Sequence, residues 1–221
     1  MSVSIINGNV YISNVRGGTY VSGTYNSGVQ GNGELKAEPR NVESFDSVVL
    51  ESSVDADVHC GHKGNQAVSV SGDSNLLDMV KTRVKDGVLH IGAEGSFSTQ
   101  NPLKVKVQTD KLLSATLRAS GDLAVQALNQ PAFAAVIQGS GDFSASGAVD
   151  ELKLTSQGSG DFSGFSLAAN RADVTVQGSG DADVQVGNEL KAFIAGSGDV
   201  TYKGNPSVSS QVYGSGDVER Y

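Results

Sequence analysis

A four-residue phrase returns at a nearly fixed interval through the second half of this chain. It first reads Ala119-Ser120-Gly121-Asp122, and then recurs as Gly-Ser-Gly-Asp at 139–142, 158–161, 178–181, 196–199 and 214–217. The successive aspartates Asp122, Asp142, Asp161, Asp181, Asp199 and Asp217 are separated by 20, 19, 20, 18 and 18 residues. A fixed period near twenty means one small structural unit stacked on itself, with each copy burying the face its neighbour exposes.

The residues around the phrase define that unit. Before it, apolar or small residues alternate with polar ones: Leu113/Ala115/Leu117, Phe133/Ala135/Ile137, Leu152/Leu154/Ser156, Ala172/Val174/Val176, Leu190/Ala192/Ile194 and Val208/Ser210/Val212. After it come Leu123/Val125, Phe143/Ala145, Phe162/Gly164, Ala182/Val184, Val200/Tyr202 and Val218/Arg220. Period-two alternation on both sides of a turn signals two half-buried strands joined by a corner. The repeat is too short for a pair of packed helices and fits one turn of a parallel β-helix, so the expected fold is all-β. At each corner, glycine is expected to supply backbone angles costly to other residues. The aspartate is expected to hold the bend as a local Asx-type turn.

The segment Glu51–Gly61 matches Gln177–Gly187 position for position and reads as an earlier turn, with Asp55 in the aspartate register and Cys60 facing inward. Between Gly61 and Lys111 the period is lost. Strands are expected over Ala67–Ser71 and Leu103–Thr109, a helical turn over Asn75–Met79 and a hairpin around Asp86-Gly87. These read as elaborated turns of the solenoid, in preference to a small sheet capping it, that separate Asp55 from Asp122. At the start, residues 3–12 read as a hairpin on Asn7-Gly8, followed by a Gly-, Ser- and Asn-rich stretch from Arg16 to Gly33. The expected division is therefore residues 1–33, hairpin and extension, and residues 34–221, the solenoid.

Charge and composition narrow the function classes. A net charge of −8 argues against nucleic acid and against an anionic membrane surface as partners. No apolar run is long enough to span a membrane. The first residues do not read as a secretory signal, so the chain is expected either to stay inside or to begin after a removed one. A single cysteine leaves no intrachain disulfide.

Three features taken together resemble a known family. They are Phe45-Asp46-Ser47-Val48-Val49-Leu50-Glu51, the run from Asn75 to Ile91, and the repeated Gly-Ser-Gly-Asp corners. Over roughly residues 34–221 they resemble the head GIN domain family of autotransporter-type adhesins. The resemblance implies a right-handed parallel β-helix in a bacterial protein that is exported or held at the cell envelope. It implies no catalytic residues.

The candidate ligand site is the column Asp122, Asp142, Asp161, Asp181, Asp199 and Asp217, with Asp55 in the same register. Carboxylates about 4.8 Å apart repel by roughly 1 kcal/mol per pair in water. Hydrogen bonds from turn N–H groups, at about 1.5–3 kcal/mol each, offset this, so no cation and no cofactor is required. Gln138, Gln157 and Gln177 face outward and are expected to form an amide ladder. His59, Cys60 and His62 suggest a metal cluster, but alternation sends His59 and Cys60 to opposite faces. Arg118 and Arg171 read as isolated, and Asp181 with Asp183 is a carboxylate pair with no repeat in neighbouring turns. No catalytic dyad stands out.

The expected function is a non-enzymatic structural or adhesive module, binding a surface polysaccharide or a protein, or assembling into a homo-oligomer through the solenoid ends. The alternatives are a carbohydrate-active enzyme on the same scaffold and a lipid- or small-ligand-binding protein.

Overall fold

The structure is a computed structural model that describes residues 2–6 and 9–13 as strand backbone, together with residues 28–64 and 66–221. Strands β1 (Ser2–Ile6) and β2 (Asn9–Ser13) pair antiparallel, as a hairpin requires. The Asn7-Gly8 turn and the stretch 14–27 lie outside the described residues.

The remaining strands in chain order are β3 (Val29–Gln30), β4 (Leu35–Arg40), β5 (Ser47–Leu50), β6 (Asp55–His59) and β7 (Ala67–Asp73). A 3-10 helix (Ser74–Met79) precedes β8 (Val80–Lys85), β9 (Val88–Ala93), β10 (Phe97–Ser98), β11 (Lys104–Gln108) and β12 (Ser114–Leu117). The regular part follows as β13 (Leu123–Ile137), β14 (Phe143–Ser156), β15 (Phe162–Val176), β16 (Ala182–Ile194), β17 (Val200–Gly204), β18 (Ser207–Val212) and β19 (Val218–Arg220). Each regular turn pairs in parallel with the next, giving a β-solenoid of about five turns.

The start of the stack is not wound in sequence order. Turn 47–59 lies directly against the regular turns, because β5 pairs with β12 and β6 with β13, both in parallel. Asp55 is therefore beside Asp122, contrary to the expectation that residues 61–118 would separate them. Those residues are placed on the far side instead. There β9 and β11 form a further parallel turn against β5 and β6. Beyond it, β7 and β8 run the opposite way and pair antiparallel with β11 and β9. The reversal is made at Asp86 and Gly87, both with positive φ, as a two-residue hairpin needs. Strand β4 then pairs antiparallel with β7. The inserted segment thus contains one elaborated turn and one reverse-wound turn that covers it.

The interior is a narrow column of apolar side chains. Phe133, Phe143 and Phe162 pack edge to face with ring centroids 6.4 and 5.6 Å apart, and Ala135, Leu154, Val174 and Ile194 are fully buried. Inward assignments fail at both ends of the regular stack. Leu113 is 56% exposed, and Leu112 takes the inward slot. The Gln130 side-chain amide donates to the Leu112 carbonyl at 2.6 Å and accepts from the Leu112 N–H at 3.2 Å, which shifts the phase before β12 begins. Val208 and Val212 are about two-fifths exposed, and Ser210 is exposed, because no described strand stacks over β18. Arg220, in β19, is exposed for the same reason.

The corner glycines also act differently from expectation, since none of them has a positive φ. A Cβ added at Gly158 would lie 1.9 Å from the carbonyl oxygen of Gly139, and one at Gly160 would lie 1.9 Å from that of Gly141. The Gly139 carbonyl accepts the Ser159 N–H at 3.0 Å, and the same bond recurs at Ser179, Ser197 and Ser215. These bonds draw successive corners together until no side chain fits between them. Glycine is required here by proximity.

Candidate functional site

The aspartate column is a hydrogen-bonded ladder. Oδ1 of Asp55 accepts the backbone N–H of Asp122 at 3.0 Å, and Asp122 accepts that of Asp142 at 2.9 Å. The pattern continues from Asp142 to Asp161, Asp161 to Asp181, Asp181 to Asp199 and Asp199 to Asp217, at 2.8–3.1 Å. Each carboxylate therefore bonds across to the next turn and not within its own, which corrects the Asx-turn expectation. Its chemical effect is to fix one turn over another. Among the described residues, no three His, Cys, Asp or Glu side chains converge as a metal ion would need.

A second ladder crosses the outer surface of the strands that precede the corner. Gln138 Nε2 donates to Gln157 Oε1 at 3.1 Å, and Gln157 Nε2 donates to Gln177 Oε1 at 3.0 Å. The sequence indicated these three residues. The ladder goes further: Arg118 Nε donates to Gln138 Oε1 at 3.3 Å, Arg118 is paired with Glu51 at 3.0 Å, and Glu51 meets His90 Nδ1 at 3.3 Å. His90 in β9 and the residues that directly follow β5, β12, β13, β14 and β15 form one continuous polar row. At its other end lies an aromatic pair, Phe193 and Tyr213, with centroids 5.7 Å apart. Arg118 is thus not isolated. Neither is Arg171, which is bound to Glu151.

A scan against protein-family models matches residues 44–206 to "Putative auto-transporter adhesin, head GIN domain". The chain belongs to this family. Solved structures agree with the fold. A putative adhesin from Bacteroides fragilis superposes with a TM-score of 0.72 at 20% identity, covering 87% of this chain and all of the other. A putative adhesin from Parabacteroides distasonis gives 0.53 at 24% identity, covering 87% of this chain and 99% of its own. A putative lipid binding protein from the same organism gives 0.51 at 22% identity, with the same coverage. No curated protein matches the sequence.

Within this head GIN domain the remaining candidate residues separate. Cys60 is 3% exposed, and burial pushes its thiol up to about 11, so thiolate chemistry is suppressed. His59 points outward, away from Cys60, and lies 3.2 Å from His62 Nε2, a contact that alternation alone does not reveal. Asp183 is half-buried beside Asp181. Desolvation, and then the Asp181 charge, raise its carboxyl above the ordinary value.

Two features had no signal in the repeat. Lys203 Nζ sits 3.9 Å from the centroid of Phe165 and 4.0 Å from that of Tyr221, a cation–aromatic clamp with residues from three turns. Near the reverse-wound turn, the buried Asp73 carboxylate accepts from Gln100 N at 2.7 Å, Asn101 Nδ2 at 2.8 Å and Gly33 N at 3.1 Å. It ties residues 31–33 to the body, together with Asn75 Nδ2, which donates to the Gln30 carbonyl at 2.9 Å.

Proposed function

We propose that this head GIN domain is a non-enzymatic adhesive module, exported or held at the cell envelope, whose outer β-face binds a surface polysaccharide or protein. The observation that carries this reading is the row from His90 through Glu51, Arg118, Gln138 and Gln157 to Gln177. Side chains locked to one another on a rigid sheet present fixed donors and acceptors at little cost in ordering, which favours recognition over chemistry. The family description as an adhesin supports the same reading.

The experiment is a binding screen of the intact protein against immobilised cell-surface polysaccharides and envelope proteins, repeated with Gln157→Lys. Binding lost in the variant at unchanged melting temperature supports the assignment. Shortening of a polysaccharide, abolished by Asp181→Asn, would replace it with the enzyme reading.

A second reading rests on Val208, Val212 and Tyr213, which are exposed on the outermost strand. This apolar end fits a lipid or small apolar ligand, as the name of one structural neighbour suggests for that protein. It also fits end-to-end pairing of copies through β18 and β19, each of which has one unpaired edge among the described strands. Native mass spectrometry of the intact chain and of a form truncated after Lys203 separates the two: a retained small mass supports the ligand, and a doubled protein mass that is lost on truncation supports end pairing.

A further inference from the structure

On the outer surface of the strands before the corner, beside the glutamine row, two columns of charge run along the stack. One reads Glu151, Arg171, Glu189 and the other Lys153, Asp173, Lys191, with residues of the same turn in neighbouring columns. The signs alternate along each column and are opposite across every row. All six side chains are exposed or half-buried, and the patch is neutral on a chain of net charge −8. Part of this pattern is satisfied within one chain, since Arg171 binds Glu151 and Lys191 binds Glu189 at 3.2 Å. Lys153 and Asp173 have no ion-pair partner within 4.0 Å among the described residues.

We propose that this face is a docking surface for a second copy of the chain, held side by side with the first. The two-fold axis lies in the plane of the face, along the stack and midway between the columns. That operation exchanges the columns and keeps the rows. Glu151 then faces the other copy's Lys153, Arg171 faces its Asp173, and Glu189 faces its Lys191. By symmetry each contact occurs twice, so every facing pair is of opposite sign. A two-fold axis running along the strands through the middle row would set Glu151 against Glu189 and Arg171 against itself, and one midway between two rows would leave the third row without facing charges, so only the axis along the stack pairs all six residues.

An independent feature lies on the same axis. Ser114 is level with Ala134, so Leu113 is level with Phe133, between the two columns. Its 56% exposure is unusual for a leucine in this chain, and it borders a shallow groove of about 530 Å3 whose walls include Ala132 and Ala134. In the paired arrangement each Leu113 lies against its own copy and leaves water. Exposed charge pairs contribute little singly, so the expected dimer is weak and salt-sensitive, with Leu113 as its apolar anchor.

The test uses sedimentation equilibrium on the full chain and two double variants. Lys153→Glu/Lys191→Glu sets like charges across every outer row of a homodimer, and so does Glu151→Lys/Glu189→Lys. A mixture of the two restores all six opposite pairs. The wild-type chain should dimerise near 0.01 M salt and weaken at least tenfold near 1 M, as the Debye length falls from about 30 to about 3 Å. Each double variant alone should be monomeric, and the equimolar mixture should dimerise. A wild-type chain monomeric at low salt, a variant that dimerises alone, or a mixture that does not associate would each overturn the proposal. If like charges stacked in one column prevent folding, Lys153→Gln/Lys191→Gln adds no charge. It should weaken the dimer by roughly tenfold, and unchanged association would reject the face.

Discussion

Asp161 Oδ1 accepts the backbone N–H of Asp181, 2.8 Å away and one full turn of the chain further on. A side chain here does the work of a sheet hydrogen bond at a place where the backbone bends and the sheet pairing lapses. The Gly-Ser-Gly-Asp phrase can be understood from this contact. Glycine lets successive corners touch, and aspartate holds them in register.

Asp161→Ala should therefore destabilise the protein by about 1–2 kcal/mol, because the Asp181 N–H loses its charged acceptor and recovers only water. Asp161→Asn keeps an acceptor oxygen and removes one charge from a crowded column, so its loss should be smaller. Urea unfolding of the two variants checks the order. An equal loss in both would mean that charge matters here, and not the hydrogen bond.

At Gly158 the expected effect is larger. An added Cβ would lie 1.9 Å from the Gly139 carbonyl oxygen and 3.0 Å from the Gln138 carbonyl carbon, and this is backbone that cannot swing aside as a side chain could. Gly158→Ala should cost several times as much as Ser159→Ala, whose side chain is exposed. Thermal melts of the pair decide it. If backbone angles were the only demand on this position, Gly158→Ala would be tolerated, since its φ is not positive.

The repeat was legible because a strand buries every second residue, and stacking then aligns those residues turn after turn. Ala135, Leu154, Val174 and Ile194 show this in the plainest form. Leu113 was misread because a single side chain, Gln130, grips the backbone before β12 and shifts its phase, and alternation carries no trace of such a clamp. The adjacency of Asp55 and Asp122 was hidden for a different reason. Chain order does not determine stacking order once a hairpin at Asp86-Gly87 reverses the winding and sends the insert to the far side. For the binding surface, the three glutamines were visible as a column. Their continuation through Arg118, Glu51 and His90 needed the β5–β12 and β5–β9 registers, which join residues 39 and 67 positions apart.

Asp183 should behave as a mildly unfavourable charge. Its carboxyl is raised by desolvation first and by Asp181 second. A raised carboxyl favours the folded state at low pH, where it is protonated, and that contribution is lost as the pH rises through its folded value. Asp183→Asn should thus raise the melting temperature at neutral pH and change it little near pH 3. A lower melting temperature at neutral pH would show that Lys203, the opposing cation, outweighs both causes.

Asp73 is the opposite case. Burial of the carboxylate works to raise its value, but donation from the Gln100 N–H, the Asn101 side chain and backbone, and the Gly33 N–H outweighs it and holds the group below the ordinary carboxylate value. A depressed carboxyl stabilises the fold at every pH above its unfolded value, about 3.9, and that contribution disappears as the pH falls through the folded value. Asp73→Asn replaces one acceptor oxygen with an NH2 group facing N–H donors, so at neutral pH it should lower the melting temperature clearly. The gap between wild type and variant should narrow as the pH falls from about 4, where the unfolded carboxyl takes up its proton, through the lower folded value. Because Asp73 anchors the Gly33 and Gln100 segments to the reverse-wound turn, hydrogen exchange should speed up first at Gly33, Gln100 and Asn101. Exchange accelerating equally through the regular turns, or a gap that stays constant down to pH 2, would show that Asp73 is not the local anchor.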